Sequence, residues 1–397
     1  FVEIKILKNA SKLNGTYLFD GMVLEHTEVE SEFSGINGVH LYLKQIDDNT
    51  VEEILPNIDK YNIGKIVNTS ASQEYIYFFN LFQNAGEEGT VTIIRYHIKD
   101  KITESIYSFH DNIAEYAKAK RLKVFVLNDS YFIIQAEHLV LNAEQTYAGY
   151  FKFDLKFYNL KEQTEYEICD DKFTKNGISD IIALSETQCI IKTGFTLLEN
   201  SLYNELEQEE ASLEAISFVN IGQMISDFMI MQHNVLVETI EQAFYTKTIP
   251  YIRKSGNYLI YSCVDNEKKE EEIKFYNLET SEVKSCINQD VIRVSDLGKP
   301  YVLNGEPYIC LEKEEEISFL NLTTGKIDVH YEYGLKLKHI FENAILLSGM
   351  TLGGVFKKSK PYMILYGIPG NTVLFQEIGE YVDSLMTEDD IIYILKK

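Results

Sequence analysis

The chain has 397 residues, of which 45% are hydrophobic and 25% charged, an ordinary balance for a folded globular protein. Its 27 Tyr and 22 Phe, with no Trp and six Pro, lean towards pleated, half-buried surfaces, hence β structure. A net charge of -24 repels phosphate backbones, so nucleic acid is not an expected partner. No apolar run reaches the roughly 18 residues of a membrane helix, so no membrane span is expected. The five cysteines (Cys169, Cys189, Cys263, Cys286, Cys310) show no Cys-x-x-Cys spacing and read as small buried hydrophobes. Unpaired thiols favour a cytoplasmic setting. The chain opens on Phe1, so the lack of a leader in it carries little weight on location.

Taken in order, the chain repeats one phrase: an alternating apolar strand, a tight polar turn and a returning strand. Phe1 to Leu7 reads as a strand, followed by Thr16 to Phe19, Val39 to Ile46 and Thr50 to Leu55. Glu74 to Leu81, Thr90 to Ile98 and Ile102 to Phe109 form the next set, with a polar, partly helical connection from Asp111 to Lys120. Leu122 to Leu127, Tyr131 to Gln135 and Tyr150 to Leu160 follow. The fourth set, Ile181 to Leu184 and Gln188 to Lys192, is interrupted by Asn204 to Ala215, whose Glu and Leu content predicts a helix. Ala215 to Ile221 resumes the pattern, and three more sets follow around Glu272 to Leu278, Glu316 to Leu322 and Tyr362 to Ile368. Tyr381 to Met386 and Asp390 to Leu395 add one more strand pair.

The phrase is clearest at Lys274-Phe275-Tyr276-Asn277-Leu278, with copies ending at Leu160, Ile221 and Leu322 and looser ones at Ile46, Ile98 and Ile368. Successive anchors lie 52, 62, 61, 57, 44 and 46 residues apart. A period of this length with several short strands per unit resembles the β-propeller architecture. The resemblance covers nearly the whole chain but lacks the Gly-His and Trp-Asp marks of WD40 repeats. It implies an all-β, single-domain propeller over residues 1–397, with seven four-stranded blades and eight as the alternative count. The approximate blades are 1–57, 58–110, 111–175, 176–228, 229–290, 291–333 and 334–397. Closure is expected from a composite of the last strand pair and the Phe1 to Leu7 strand, since an open edge is a liability.

Motifs for chemistry are sparse. No Gly-x-Ser-x-Gly occurs, and the Gly-rich run Ser348 to Gly354 lacks the Lys-Ser/Thr of a phosphate loop. The eight histidines have no metal-ligand spacing. His97 stands where other copies carry Asn, which implies a hydrogen-bonding role in the turn. No catalytic residue, metal or cofactor is therefore expected, and the chain leans towards a non-enzyme.

What remains is charge. The connections on one expected face carry Glu28, Glu30, Glu88, Glu205, Glu209, Glu210, Glu271 and Glu315, broken by Lys357 and Lys358. These predict a monomeric, non-catalytic module that presents acidic loops to a protein or peptide, preferably basic. The alternative is a channel-centred carbohydrate-binding protein or carbohydrate-active enzyme.

Overall fold

The computed structural model describes residues 2–8, 15–29, 38–54, 65–72, 74–82, 89–111, 120–141, 149–169, 171–174, 176–194, 214–229, 238–243, 247–288, 299–312, 316–332, 335–351, 358–367, 372–379, 383–386 and 390–396. The fold is a seven-bladed β-propeller: seven small antiparallel sheets, each a meander of consecutive strands, and one further sheet made from the two ends of the chain. The contacts divide it into two compact units, residues 15–245 and residues 1–14 with 246–397.

Strand β1 (Glu3–Leu7) belongs to the second unit. The first unit holds four blades. They are β2 (Thr16–Tyr17), β3 (Met22–Val29), β4 (Gly38–Gln45) and β5 (Val51–Glu53); then β6 (Lys65–Ala71), β7 (Tyr75–Phe82), β8 (Gly89–His97) and β9 (Ile102–Asp111). The third is β10 (Lys120–Asn128), β11 (Tyr131–Leu141), β12 (Gly149–Asn159) and β13 (Thr164–Glu167). After the short helix α1 (Asp171–Thr174), the fourth is β14 (Ile178–Ala183), β15 (Gln188–Gly194), β16 (Glu214–Asn220) and β17 (Glu238–Ala243), with helix α2 (Ile221–Met229) between its last two strands.

The second unit holds three blades. The fifth has β18 (Lys247–Thr248), β19 (Ile252–Ser255), β20 (Tyr258–Asp265), β21 (Glu270–Asn277) and β22 (Val283–Asn288), with β18 and β19 both pairing β20. The sixth has β23 (Lys299–Leu303), β24 (Glu306–Glu312), β25 (Glu316–Asn321) and β26 (Lys326–Glu332). The seventh has β27 (Lys336–Ile340), β28 (Ala344–Met350), β29 (Pro361–Gly367) and β30 (Thr372–Ile378). The expected composite is present: β31 (Asp383–Met386) runs antiparallel to β32 (Ile391–Leu395), and β1 lies parallel on the other side of β32. Strand β1 is thus part of this terminal sheet and not the first strand of blade one.

The middle strands explain the composition. Second strands are buried on both faces and so are apolar almost throughout, as in Tyr258-Leu259-Ile260-Tyr261 and Ala344-Ile345-Leu346-Leu347. Last strands alternate, and Val283, Ile287, Ile327, Val373 and Ile378 face solvent. Cores form between adjacent blades. Ile133, Phe157, Ile191 and Val219 interdigitate between the third and fourth, and Cys310, Phe319, Ile345 and Leu347 between the sixth and seventh. Burying each such side chain contributes about 1.5–3 kcal/mol.

The repeated phrase has a definite structural cause. All seven third strands end on the anchor position: Gln45, His97, Asn159, Asn220, Asn277, Asn321 and Gly367. At Asn277 the side-chain Oδ1 accepts hydrogen bonds from Glu279 N (2.9 Å) and Thr280 N (3.1 Å). Asn159 and Asn321 make the same pair of bonds, and His97 Nδ1 accepts from Asp100 N at 3.2 Å. The residue four places after the anchor is left-handed at Asn49, Lys101, Gln163, Ser281 and Gly325. Among the described residues, the apolar residue after the anchor donates its N–H back into its own blade at Ile46, Ile98, Leu160, Ile221, Leu278 and Leu322, as Leu278 does to Asn257 O (2.8 Å) and Leu160 to Ser130 O (2.8 Å). Asn supplies the acceptor that such a turn needs, and the backbone of its apolar successor is tied into the blade.

Asn220 uses that acceptor differently. Its Oδ1 receives Gln223 N at 3.0 Å and caps α2 in place of turning a hairpin. The predicted helix at Asn204 to Ala215 lies mostly outside the described residues, and its last two positions, Glu214 and Ala215, open strand β16. The predicted connection at Asp111 to Lys120 also lies largely outside them.

Candidate functional site

Buried polar groups mark where this fold departs from a plain apolar stack. Lys192 is the sharpest case, at 7% exposure. It lies on β15, whose sequence Gln188-Cys189-Ile190-Ile191-Lys192 places an amine directly after an apolar run. Its neighbour across the first hairpin is irregular. Ile178 pairs Thr193 and Asp180 pairs Lys192, so Ser179 is an extra residue in a β-bulge. The bulge turns the Ser179 hydroxyl onto the buried amine, with Lys192 Nζ donating to Ser179 Oγ at 3.2 Å. Ser179 Oγ in turn donates to Lys192 O at 3.1 Å. Bulges commonly re-aim a side chain in this way.

The backbone beside Ser179 is fixed from the adjacent blade. Gln135, on β11 and 2% exposed, accepts from Ile178 N at 2.6 Å and donates from Nε2 to Ile178 O at 3.0 Å. Glu214 Oε2 lies 4.0 Å from Lys192 Nζ. Burial holds the Lys192 amine below the usual lysine range; Glu214 and Asp180 oppose this, and Lys123 adds to it.

A second polar group lies within the other unit. Glu271, on β21, is 7% exposed. The nearby Tyr251 phenol is pushed up to about 12, mainly by burial and then by the Glu271 charge, with Arg253 and the Ser262 hydroxyl opposing. Tyr301 is likewise pushed up to about 12 by burial. The Arg253 guanidinium lies over the Tyr301 ring, 5.3 Å from its centre, and donates to Pro300 O. Among the described residues, no three His, Cys, Asp or Glu side chains come together as metal ligands.

Of the residues singled out by charge, three fall among the described residues. Glu271 sits within a strand and is buried; Lys358 is exposed; Glu28 lies on β3. Glu30, Glu88, Glu205, Glu209, Glu210, Glu315 and Lys357 lie outside the described residues. Several other carboxylates tie neighbouring blades together. Tyr77 donates to Asp129, Tyr96 to Glu52 and Tyr107 to Glu165. The Ser179–Lys192 pair escaped the sequence reading because its members lie 13 residues apart with no motif between them. The available signal was a lysine ending an apolar strand run.

No protein-family model and no curated protein matches the chain. Solved structures do. A dipeptidyl peptidase 4 from Porphyromonas gingivalis is similar over 92% of this chain and 54% of its own, at 10% identity and a TM-score of 0.52. An acylaminoacyl peptidase from Pyrococcus horikoshii is similar over 91% of this chain and 51% of its own, at 10% identity and a TM-score of 0.41. The β-propeller domain of the Trilobed protease from Pyrococcus furiosus is similar over 89% of this chain and 93% of its own, at 9% identity and a TM-score of 0.34. The chain thus spans about half the length of the first two, 54% and 51%.

These comparisons correct the functional expectation. The solved structure similar at a TM-score above 0.5 is a dipeptidyl peptidase, which speaks against both a non-catalytic interaction module presenting acidic loops and a carbohydrate-directed channel. Acidic charge does not by itself mark a site in this chain. Acidic residues here also serve as latches between blades, and Glu271 is not a displayed group at all. No helix is long and apolar enough to cross a membrane among the described residues. At these identities the likeness establishes the fold, and the fold is the propeller.

Proposed function

We propose that this chain is a propeller belonging to a peptide-hydrolysing enzyme. The observation that carries the proposal is the similarity to the Porphyromonas gingivalis dipeptidyl peptidase, which extends over 92% of this chain and 54% of that one. In this reading the propeller is a stiff frame that admits and orients peptide substrates. Its blades are suited to that work because side-chain hydrogen bonds join one to the next, as at Tyr96–Glu52 and Gln135–Ile178.

The test is hydrolysis by the native protein isolated from its source. Fluorogenic dipeptidyl and longer peptide substrates are assayed with and without a serine-directed phosphonylating inhibitor. Inhibitor-sensitive release of the fluorophore is expected. A native preparation that cleaves none of a panel of apolar, charged and proline-containing peptides overturns the proposal.

A further inference from the structure

We propose that Ser179 is an activated nucleophile, with Lys192 as its base, that takes an acyl group from a small ester or amide. The proposal concerns residues of this chain alone and does not depend on the peptidase reading. Four features of the structure support it. Ser179 is an exposed residue, Lys192 behind it is buried at 7% exposure, and 3.2 Å separates Oγ from Nζ. The nucleophile sits on a bulge, so its side chain is directed by backbone geometry and not by chance rotation. The preceding residue, Ile178, is clamped at both its N–H and its C=O by buried Gln135. The side towards Gly194 carries no side chain; a Cβ there would stand 3.3 Å from Ser179 Oγ and 3.7 Å from Lys192 Nζ.

The electrostatics suit a base. An amine in this setting is held below the ordinary lysine range, first by burial and also by Lys123. Glu214 and Asp180 act in the opposite sense and keep the amine able to accept a proton. The step balances without any other reagent. Once Lys192 is neutral, the Ser179 hydroxyl turns its proton from Lys192 O to Lys192 Nζ, which takes it as Ser179 Oγ forms a bond to the acyl carbon. The bond from the acyl carbon to the leaving group breaks, and the departing alcohol or amine takes that proton. Water then repeats the sequence on the Ser179 ester and releases the acid.

The probes are 4-nitrophenyl acetate and a biotin-linked fluorophosphonate, applied to the purified chain, with the modified residue located by peptide mass. The expected result is adduct on Ser179, formed faster than on the exposed Ser281, and lost in Ser179→Ala. Lys192→Arg, which cannot accept a proton, slows labelling by about 100-fold, the contribution of a positioned base. In the unaltered chain the labelling rate rises with pH as Lys192 loses its proton, reaching its plateau below the ordinary lysine range. Labelling of Ser179 no faster than Ser281 overturns the proposal, as does an unchanged rate in folded Lys192→Arg. If that variant does not fold, the pH profile decides, and a rate that tracks hydroxide alone overturns it.

Discussion

The side-chain amide of Gln135 occupies both backbone hydrogen-bonding groups of Ile178, 43 residues away on the next blade. It substitutes for a β-ladder between two sheets that share no strand pairing. Because both partners are buried, Gln135→Ala leaves a donor and an acceptor unsatisfied, each costing about 1–3 kcal/mol. The expected loss is about 2–4 kcal/mol in urea unfolding. Gln135→Glu retains the acceptor for Ile178 N but opposes the Ile178 carbonyl with a charged oxygen, so it should not restore stability at neutral pH.

The turn after each anchor strand gives a graded prediction. Lys101, Gln163 and Ser281 hold φ of 57°, 53° and 59°, where Gly325 has 69°. A side chain in that region costs about 1–2 kcal/mol, partly offset by the entropy that glycine adds to the unfolded chain. Ser281→Gly and Gln163→Gly should each raise stability by up to about 1 kcal/mol, and Gly325→Ala should lower it by a similar amount. Thermal or urea unfolding of the three variants checks the signs.

The thiols should divide by environment. Burial pushes Cys189 and Cys310 up to about 12. At pH 8 neither should react with a disulfide reagent until the protein unfolds. Cys169, Cys263 and Cys286 are only partly buried and should react first. A native-state titration that consumes all five free thiols at one rate contradicts this assignment.

The Tyr107–Glu165 latch should respond to acid. The hydrogen bond from Tyr107 lowers the Glu165 carboxyl below its usual range, burial opposes it, and Lys156 assists. A depressed carboxylate contributes stability that is present above its unfolded value, about 4.3, and is lost as pH falls through the folded one. Tyr107→Phe should therefore cost about 1 kcal/mol at neutral pH. The difference from the parent chain should shrink below pH ~4.

Lys192 gives a signature of the same sign in an alkaline window. Its folded value lies below the unfolded one, about 10.4, so between the two the unfolded chain binds more protons. Stability referred to this group rises with pH across that window. The parent chain should gain on Lys192→Met as pH climbs towards ~10. A gap that is flat over alkaline pH shows that the amine titrates normally in the folded protein.

The blade plan was legible because one short phrase performs two tasks at once. Asn159, Asn277 and Asn321 close a turn, while the apolar residue after each is hydrogen-bonded into its own blade. Both demands fall within a few consecutive residues, so they leave a local mark. His97 was readable for the same reason, and the Nδ1 bond it accepts is the one that Asn would accept. Helix α2 was not legible, since Asn220 is followed by Ile221 just as in the hairpin copies, and nothing in the phrase states which way the chain turns. The Ser179–Lys192 contact depends on a register shift between β14 and β15, and register is a property of paired strands rather than of one stretch. Glu271 was misread because a run of acidic residues looks like a loop, although every second position on β21 turns inward.

Strands β1 and β32 are neighbours, with Glu3 beside Ile391 and Leu7 beside Leu395. A ribosome delivers these partners at opposite moments of synthesis. Until the late strand emerges, the early one has nothing to bind, and the apolar residues Ile4 and Ile6 wait without their mate. Pairing of this sheet therefore waits until β32 has been made, and is slowed by the entropy of joining distant points on the polymer. A nascent chain stalled before residue 390 should keep that first segment open to proteases, while blades built from adjacent hairpins already resist them.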